Sequence, residues 1–400
     1  MISIDSINIT EFKRFCDRLI LFEERGQKIR DSRKAPQISA WLILKTVFYN
    51  AIFGGRSLLQ ADQLARKETF RKYVGSTRKQ VVSDTTMHTS IGGMDSRLLQ
   101  EWMRIVYQKA KTTGMLKVKT PQLGNLRIGA IDGTGFGKFL ASCFEIVAQP
   151  SIFIGLEKIP KRGKELPTST KLLRKMVKRL GKRFIDLLLV DGLYFSHEFI
   201  NTCVEVAGID VLIKLKGEEG NSLNILKDAE GIFSLKPLPP EVEYIQGTDD
   251  SRMVSFAVWA AGKFAIEGSP FAIKVAKVKE VGIKDAQERI FWVITTRAQL
   301  NANQMRVGAH IRWTIENNGF KALNRQTNSK HVWTHDANEW EVLTQILLLA
   351  FALLELFISQ LDMEKIRKVY GGVSTTMRFI CSAIEDSLIA IYSAQKNVLI

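Results

Sequence analysis

Residues 125–132 read NLRIGAID and residues 184–191 read FIDLLLVD, two short apolar runs that each deliver an aspartate at their end. In the first, Leu126, Ile128 and Ala130 alternate on the face shared by Asp132, the period of a half-buried strand. In the second, Leu187–Val190 is continuously apolar, as in a strand covered on both faces. CFEIVAQ (143–149) and SIFIGLEKI (151–159) read as two more strands, parted by the turn signal Gln149-Pro150. KELPTSTKLLRKMVKRLGKR (164–183) reads as a basic helix ending at Gly181, SHEFINTCVEVAG (196–208) as a helix capped by Ser196, and DVLIKLK (210–216) as another strand. This order predicts an α/β fold, a mixed sheet with helices on both faces. Ligands in such sheets gather at the carboxyl ends of central strands, where the two aspartates stand.

Upstream, residues 1–118 are helical in pattern, with apolar residues at three- and four-residue spacing in ISAWLILKTVFYNAIF and SRLLQEWMRIVYQKA. The basic stretch between them has a turn at Gly75–Thr77 and a helix cap at Ser83 and Asp84. With Arg71, Lys72, Arg78 and Lys79 it reads either as a DNA-docking unit or as a solvated helical hairpin. Downstream, residues 217–290 are rich in turn residues and short strand-like runs and form a β-rich insertion. FWVITT (291–296) returns as a strand of a segment that runs to 362, and 363–400 is expected to be a helical C-terminal segment.

Lys and Arg outnumber Asp and Glu by 57 to 41, a formal charge of +16 that favours a polyanionic partner, nucleic acid foremost. The four cysteines form no CxxC pair, which argues against a zinc site or a disulfide framework and fits a reducing cytoplasm. Trp340–Leu361 approaches the length of a membrane span but contains Glu341 and Glu355, leaving only Val342–Leu354 free of charge. A carboxylate in hydrocarbon costs about 2.5–3.5 kcal/mol, so a buried core helix and no membrane association are expected.

AIDGTGF and LVDGLYF share one pattern: strand, aspartate, glycine, two residues, phenylalanine. Asp132 and Asp191 are therefore expected to leave the sheet alike, each glycine allowing a sharp turn and leaving room for a ligand. If their strands are neighbours, both carboxylates enter one cleft, and their repulsion calls for a cation. Oxygen donors without His or Cys select Mg²⁺ or Mn²⁺, and chemistry with two such ions takes a third acid. Glu316 in HIRWTIENNGFKALNRQ is the best candidate. On a regular helix Trp313, Glu316 and Phe320 share one side, so the glutamate should face inward, with Arg312 one turn away to compensate it or grip a phosphate. An Asp-Gly after a strand can also be only a turn, and Arg312 with Glu316 only a structural pair.

AIDGTGF, LLLVDGLY and RWTIENNGF together resemble the bacterial insertion-sequence DDE transposases, in the insertion-sequence-4-like branch, over about residues 125–360. The resemblance implies an RNase H-like core in two parts (119–216 and 291–362) interrupted by the insertion, with a DNA-binding helical domain at 1–118. It implies that Asp132, Asp191 and Glu316 hold two Mg²⁺ or Mn²⁺ ions. It also implies that the protein, as a homo-oligomer on double-stranded DNA, nicks transposon ends and joins the freed 3′-hydroxyl to target DNA. The branch signature is Tyr, two residues, Arg, three residues, Glu, six residues, Lys. Arg312 and Glu316 fit it, whereas Ala309 and Leu323 replace the tyrosine and the lysine, with His310 and Lys321 nearby.

For DNA contact, residues 158–183 hold eleven Lys or Arg and one acid, Glu165, and Lys171, Arg174, Lys175 and Lys178 recur at helical spacing. They read as a phosphate-binding stripe or as an exposed solubilising face. Trp333 reads as a stacking surface for an unpaired base or as a core residue. Two rival functions are an RNase H-like structure-specific nuclease that cuts without joining and a domesticated DNA-binding protein without catalysis.

Overall fold

The computed structural model describes residues 7–118, 121–215, 223–313, 315–361, 368, 379–388 and 390. Seven helices come first: α1 (Ile9–Ile20), α2 (Phe22–Gly26), α3 (Ala40–Ile52), α4 (Leu58–Arg66), α5 (Glu68–Val74), α6 (Asp84–Gly92) and α7 (Ser96–Thr112). Then come β1 (Lys117–Val118), β2 (Ile128–Phe136), β3 (Phe139–Gln149), β4 (Ile152–Ile159), α8 (Glu165–Leu180), β5 (Leu187–Asp191), α9 (His197–Asn201) and β6 (Asp210–Leu215). The chain continues through α10 (Leu223–Phe233), β7 (Glu243–Asp249), β8 (Val254–Phe264), β9 (Ile273–Gly282), β10 (Glu288–Thr295), α11 (Ala302–Ile311), α12 (Lys321–Thr327) and α13 (Ala337–Ile358). The helix starts follow the capping residues: Ser83 accepts from the Thr86 amide at 3.2 Å and Ser196 from the Phe199 amide at 3.2 Å. The C-terminal segment expected at 363–400 lies largely outside the described residues, and 379–388 within it are helical.

The ten strands form one mixed sheet ordered β1-β3-β2-β5-β6-β10-β9-β8-β7, with β4 also on β3. β2 runs antiparallel to β3 and parallel to β5, and β5 runs parallel to β6. Residues 217–290 were expected to be β-rich. Their described strands do not form a separate sheet but extend this one through β10 on β6, and they are preceded by a helix, α10.

Alternation divides the sheet's two faces. Ile131, Leu188, Val190, Val211 and Ile213 join the helices of 7–112 and α8 in one core, while Ile128, Ala130, Leu187, Leu189 and Leu212 pack on α11 and α12 in another. Asp132 and Asp191 share the parity of the second set, so the sheet aims both at the face that carries α11 and the segment after it. A one-residue slip of either strand would send its aspartate to the opposite core.

α13 is the one helix among the described residues long and apolar enough to cross a membrane, and 89% of its most apolar window is buried in the protein. It packs between the N-terminal helices and the sheet, contributing Leu349, Leu353 and Phe357 to the first core and Leu348 and Phe351 to the second. Each such side chain buried contributes about 1.5–3 kcal/mol, which accounts for an apolar run in this place without lipid.

Candidate active site

The parallel pairing of β2 with β5 sets Ala130 beside Leu189, and two residues further along each strand come Asp132 and Asp191. Their exits differ, contrary to the expectation from the shared Asp-Gly pattern. β2 continues past Asp132 to Phe136 in its hairpin with β3, whereas Asp191 ends β5 and accepts the Leu193 amide at 2.9 Å, opening a single 3₁₀ turn. Gly133 makes no turn. A Cβ there would meet the carboxyl carbon of Glu165 at 2.5 Å, so the glycine makes room for another carboxylate at the start of α8. Glu165 is held by the Tyr194 hydroxyl at 2.9 Å, just beyond the Asp191 turn.

The third acid arrives differently from the regular helix expected. α11 ends at Ile311, and Ile315–Phe320 forms a π-helical turn before α12. In this wider turn Phe320 is buried, stacked on Phe153 at 5.4 Å, while the Glu316 side chain is 49% exposed at the cleft and Trp313 is also exposed. Glu316 therefore does not face inward among aromatics.

One guanidinium joins all three acids. Arg312, 6% exposed, donates from one nitrogen to Glu316 at 2.6 Å and from the other to Asp191 at 2.9 Å and Asp132 at 3.5 Å. Two carboxylates touching one nitrogen lie within two hydrogen-bond lengths of each other. At about 6 Å and an effective dielectric of ~20 they repel by roughly 3 kcal/mol, so Arg312 is the cation that lets them coexist. Burial pushes the Asp132 carboxyl up to about 7; Arg312 opposes the rise, and the charges of Asp191, Glu165 and Glu316 add to it. Three carboxylates share this guanidinium, Glu165 adds a fourth negative charge close to Asp132, and the buried Arg312 Nε–H has no acceptor among the described residues.

Among the described residues no three His, Cys, Asp or Glu side chains stand ready to hold a metal ion as they lie. The guanidinium stands where Asp132, Asp191 and Glu316 converge. The all-oxygen donor set and the surplus of negative charge nevertheless fit Mg²⁺ or Mn²⁺, with Arg312 as the stand-in cation.

Asp132, Asp191, Arg312 and Glu316 line a cleft of ≈690 Å³ that Arg56, Lys321, Arg325 and Lys330 also line. The basic stripe of α8 does not line it. Lys171 and Lys175 both bind Glu157, at 2.6 and 2.5 Å, Arg174 donates to the Thr202 hydroxyl at 3.0 Å, and Lys178 is exposed elsewhere on the helix. Trp333 is 8% exposed, its indole N–H donating to the Asn328 carbonyl at 3.2 Å, so it is a core residue that closes a loop and offers no stacking surface. Ala309 and Leu323 are fully buried in the second core, and His310 turns away to Glu280 at 2.7 Å, while Lys321 reaches the cleft.

Sequence reading missed Glu165 beside Gly133, and Arg56, Arg325 and Lys330 at the cleft, and named Lys321 only as lying near the signature's lysine position. A lone acid in a basic stretch was a signal for Glu165. Lys321, Asn324, Arg325 and Asn328, at i, i+3, i+4 and i+7, were a signal for the cations of α12. No family model matches the chain, and no curated protein sequence matches it.

Proposed function

We propose that the protein is a DDE-type transposase that cuts DNA strands and joins them in this cleft, with Asp132, Asp191 and Glu316 as its acidic triad. The observation that carries the reading is the convergence of these three acids, far apart in the chain, on one buried cation. The strand pattern supports an RNase H-like core. β4, β3 and β2 form an antiparallel meander, and β5 and β6 then add in parallel beside β2, with the first two acids on adjacent strands.

In this mechanism Asp132, Asp191 and Glu316 would hold two divalent ions, which supply charge for activating a hydroxyl and for stabilising a leaving oxygen in phosphoryl transfer. The protein's own share is position and charge. β2 and β5 fix the two aspartates from the sheet, each with one oxygen occupied by a nearby backbone amide at 2.9 Å and the other turned to the cleft. The half-exposed Glu316 side chain completes the set from the π-helical turn. Arg312, which lines the cleft beside the acids, would be placed to bind a non-bridging phosphate oxygen.

The test is a strand-cleavage and strand-transfer assay with Mg²⁺ on DNA carrying the ends that flank the reading frame. The wild type should cut and then join pre-cut ends, and Asp191→Asn should lose both while still binding the DNA. Cleavage without joining would indicate the nuclease reading. Normal cleavage by Asp191→Asn would remove this active site.

A further inference from the structure

The cations of the cleft are a different population from those of α8. Arg56, Lys321, Arg325 and Lys330 are exposed, and none has an ion pair with a carboxylate among the described residues. Lys321 is held by the Asn317 side chain at 2.6 Å. On α12, Lys321 and Arg325 lie one turn apart on the face that continues from Glu316, so the acid end of the cleft passes directly into its basic end.

The other two cations are fixed by loops that hold each other. Asn328 ends α12 in the left-handed conformation at φ 50°, and its carbonyl accepts the Trp333 indole. Asn324 Oδ1 accepts the Lys330 amide at 2.9 Å, and the Ser329 carbonyl accepts the Gly137 amide at 3.1 Å from the β2–β3 turn. The close approach there requires glycine, since a Cβ on Gly137 would lie 2.8 Å from the His331 carbonyl oxygen. The loop bearing Lys330 is thus pinned to the strand that bears Asp132. Arg56 sits in the α3–α4 connection, where the Gly55 amide donates to the Asn50 carbonyl at 2.7 Å and the Arg56 carbonyl accepts from Asn328 Nδ2 at 3.5 Å. The N-terminal helices therefore bring a cation to the cleft itself.

Unpaired, exposed cations on a pinned wall beside clustered acids suit a ligand with repeated negative charge that offers one charge to the acids through an ion and the next ones to the wall. We infer that Arg56, Lys321, Arg325 and Lys330 bind the sugar–phosphate backbone of the DNA strand whose reacting phosphate lies at Asp132, Asp191 and Glu316, and that this wall, not the α8 stripe, is the principal backbone contact. The inference rests on the transposase reading above and assigns its substrate-binding face.

The test is fluorescence anisotropy of the full-length chain with a labelled DNA duplex in EDTA, across a salt series, so that binding is read without catalysis. Arg325→Glu and Lys330→Glu should each weaken binding about tenfold or more and flatten the dependence of log K on log salt by about one contact. Lys178→Glu, the same charge change on α8, should stay within about twofold of the wild type. Arg56→Glu should resemble the cleft variants, although it lies more than 250 residues from them in the chain. Thermal melts identify any variant that has lost its fold, and Arg325→Gln and Lys330→Gln, which should weaken binding less, then carry the test. Wild-type binding that survives the cleft substitutions, or falls equally in Lys178→Glu, overturns the assignment and leaves the catalytic reading standing. A wild type that binds no DNA overturns both.

Discussion

Asp132 and Asp191 reach the cleft from adjacent parallel strands, whereas Glu316 reaches it from a π-helical turn between two helices. The first pair is set by sheet register, and moving either residue would require breaking a ladder of backbone hydrogen bonds. The third is half exposed, its position fixed mainly by one bond to Arg312. The contrast teaches that the site has a rigid half and an adjustable half, with the Arg312 guanidinium as the bond between them in the metal-free protein.

The largest expected effect breaks that bond. Arg312→Leu leaves the three acids without their cation and should destabilise the metal-free protein by on the order of 3 kcal/mol, with Mn²⁺ restoring much of the loss; denaturant melts with and without Mn²⁺ measure it. No recovery with Mn²⁺ would mean that the acids cannot exchange a guanidinium for an ion.

The rigid half should show itself in pH. Asp132 has a folded pKa of about 7, above its unfolded range near 4, so the fold favours its protonated form. Its contribution is fully present below about pH 4 and is lost as pH rises through 7. Asp132→Asn should flatten that decline in metal-free melts, and an unchanged slope would show that other groups cause it.

The adjustable half should matter less to the fold. Glu316→Gln should change metal-free stability by less than about 1 kcal/mol, because the exposed carboxylate is well solvated. A loss as large as that of Arg312→Leu would contradict the division between the halves. Smallest of all, Lys171→Ala should cost under about 0.5 kcal/mol, since Lys175 still neutralises Glu157.

The same division governs what could be read from sequence. Strand-borne features were legible because a period of two leaves little freedom: Ile128 and Ala130 share the second core's face with Asp132 in β2, and Leu126 packs on that core from just before the strand, although β2 is covered on both faces rather than half-buried. The buried helix, expected within Trp340–Leu361 and found at Ala337–Ile358, was legible from Glu341 and Glu355. The orientation of Glu316 was not, because a regular helical rotation was assumed across a segment that forms a π turn. Gly133 was misread for a related reason: a glycine after an aspartate suggests a turn, but here the space is required by Glu165, thirty-two residues away in the chain. Charge density misled as well, since Lys171 and Lys175 lie in the most basic stretch yet are spent on Glu157, whose proximity only the β4–α8 packing reveals.

Iron(II)-directed cleavage of the polypeptide tests most directly that three distant acids share divalent ions. Fe²⁺ in place of Mg²⁺, with ascorbate and peroxide, generates radicals that cut the chain beside the bound ion. Cuts should cluster near residues 132, 191 and 316 and disappear with excess Mg²⁺ or in Asp191→Asn. Cuts confined to other segments, or none that Mg²⁺ competes away, would contradict a shared metal site.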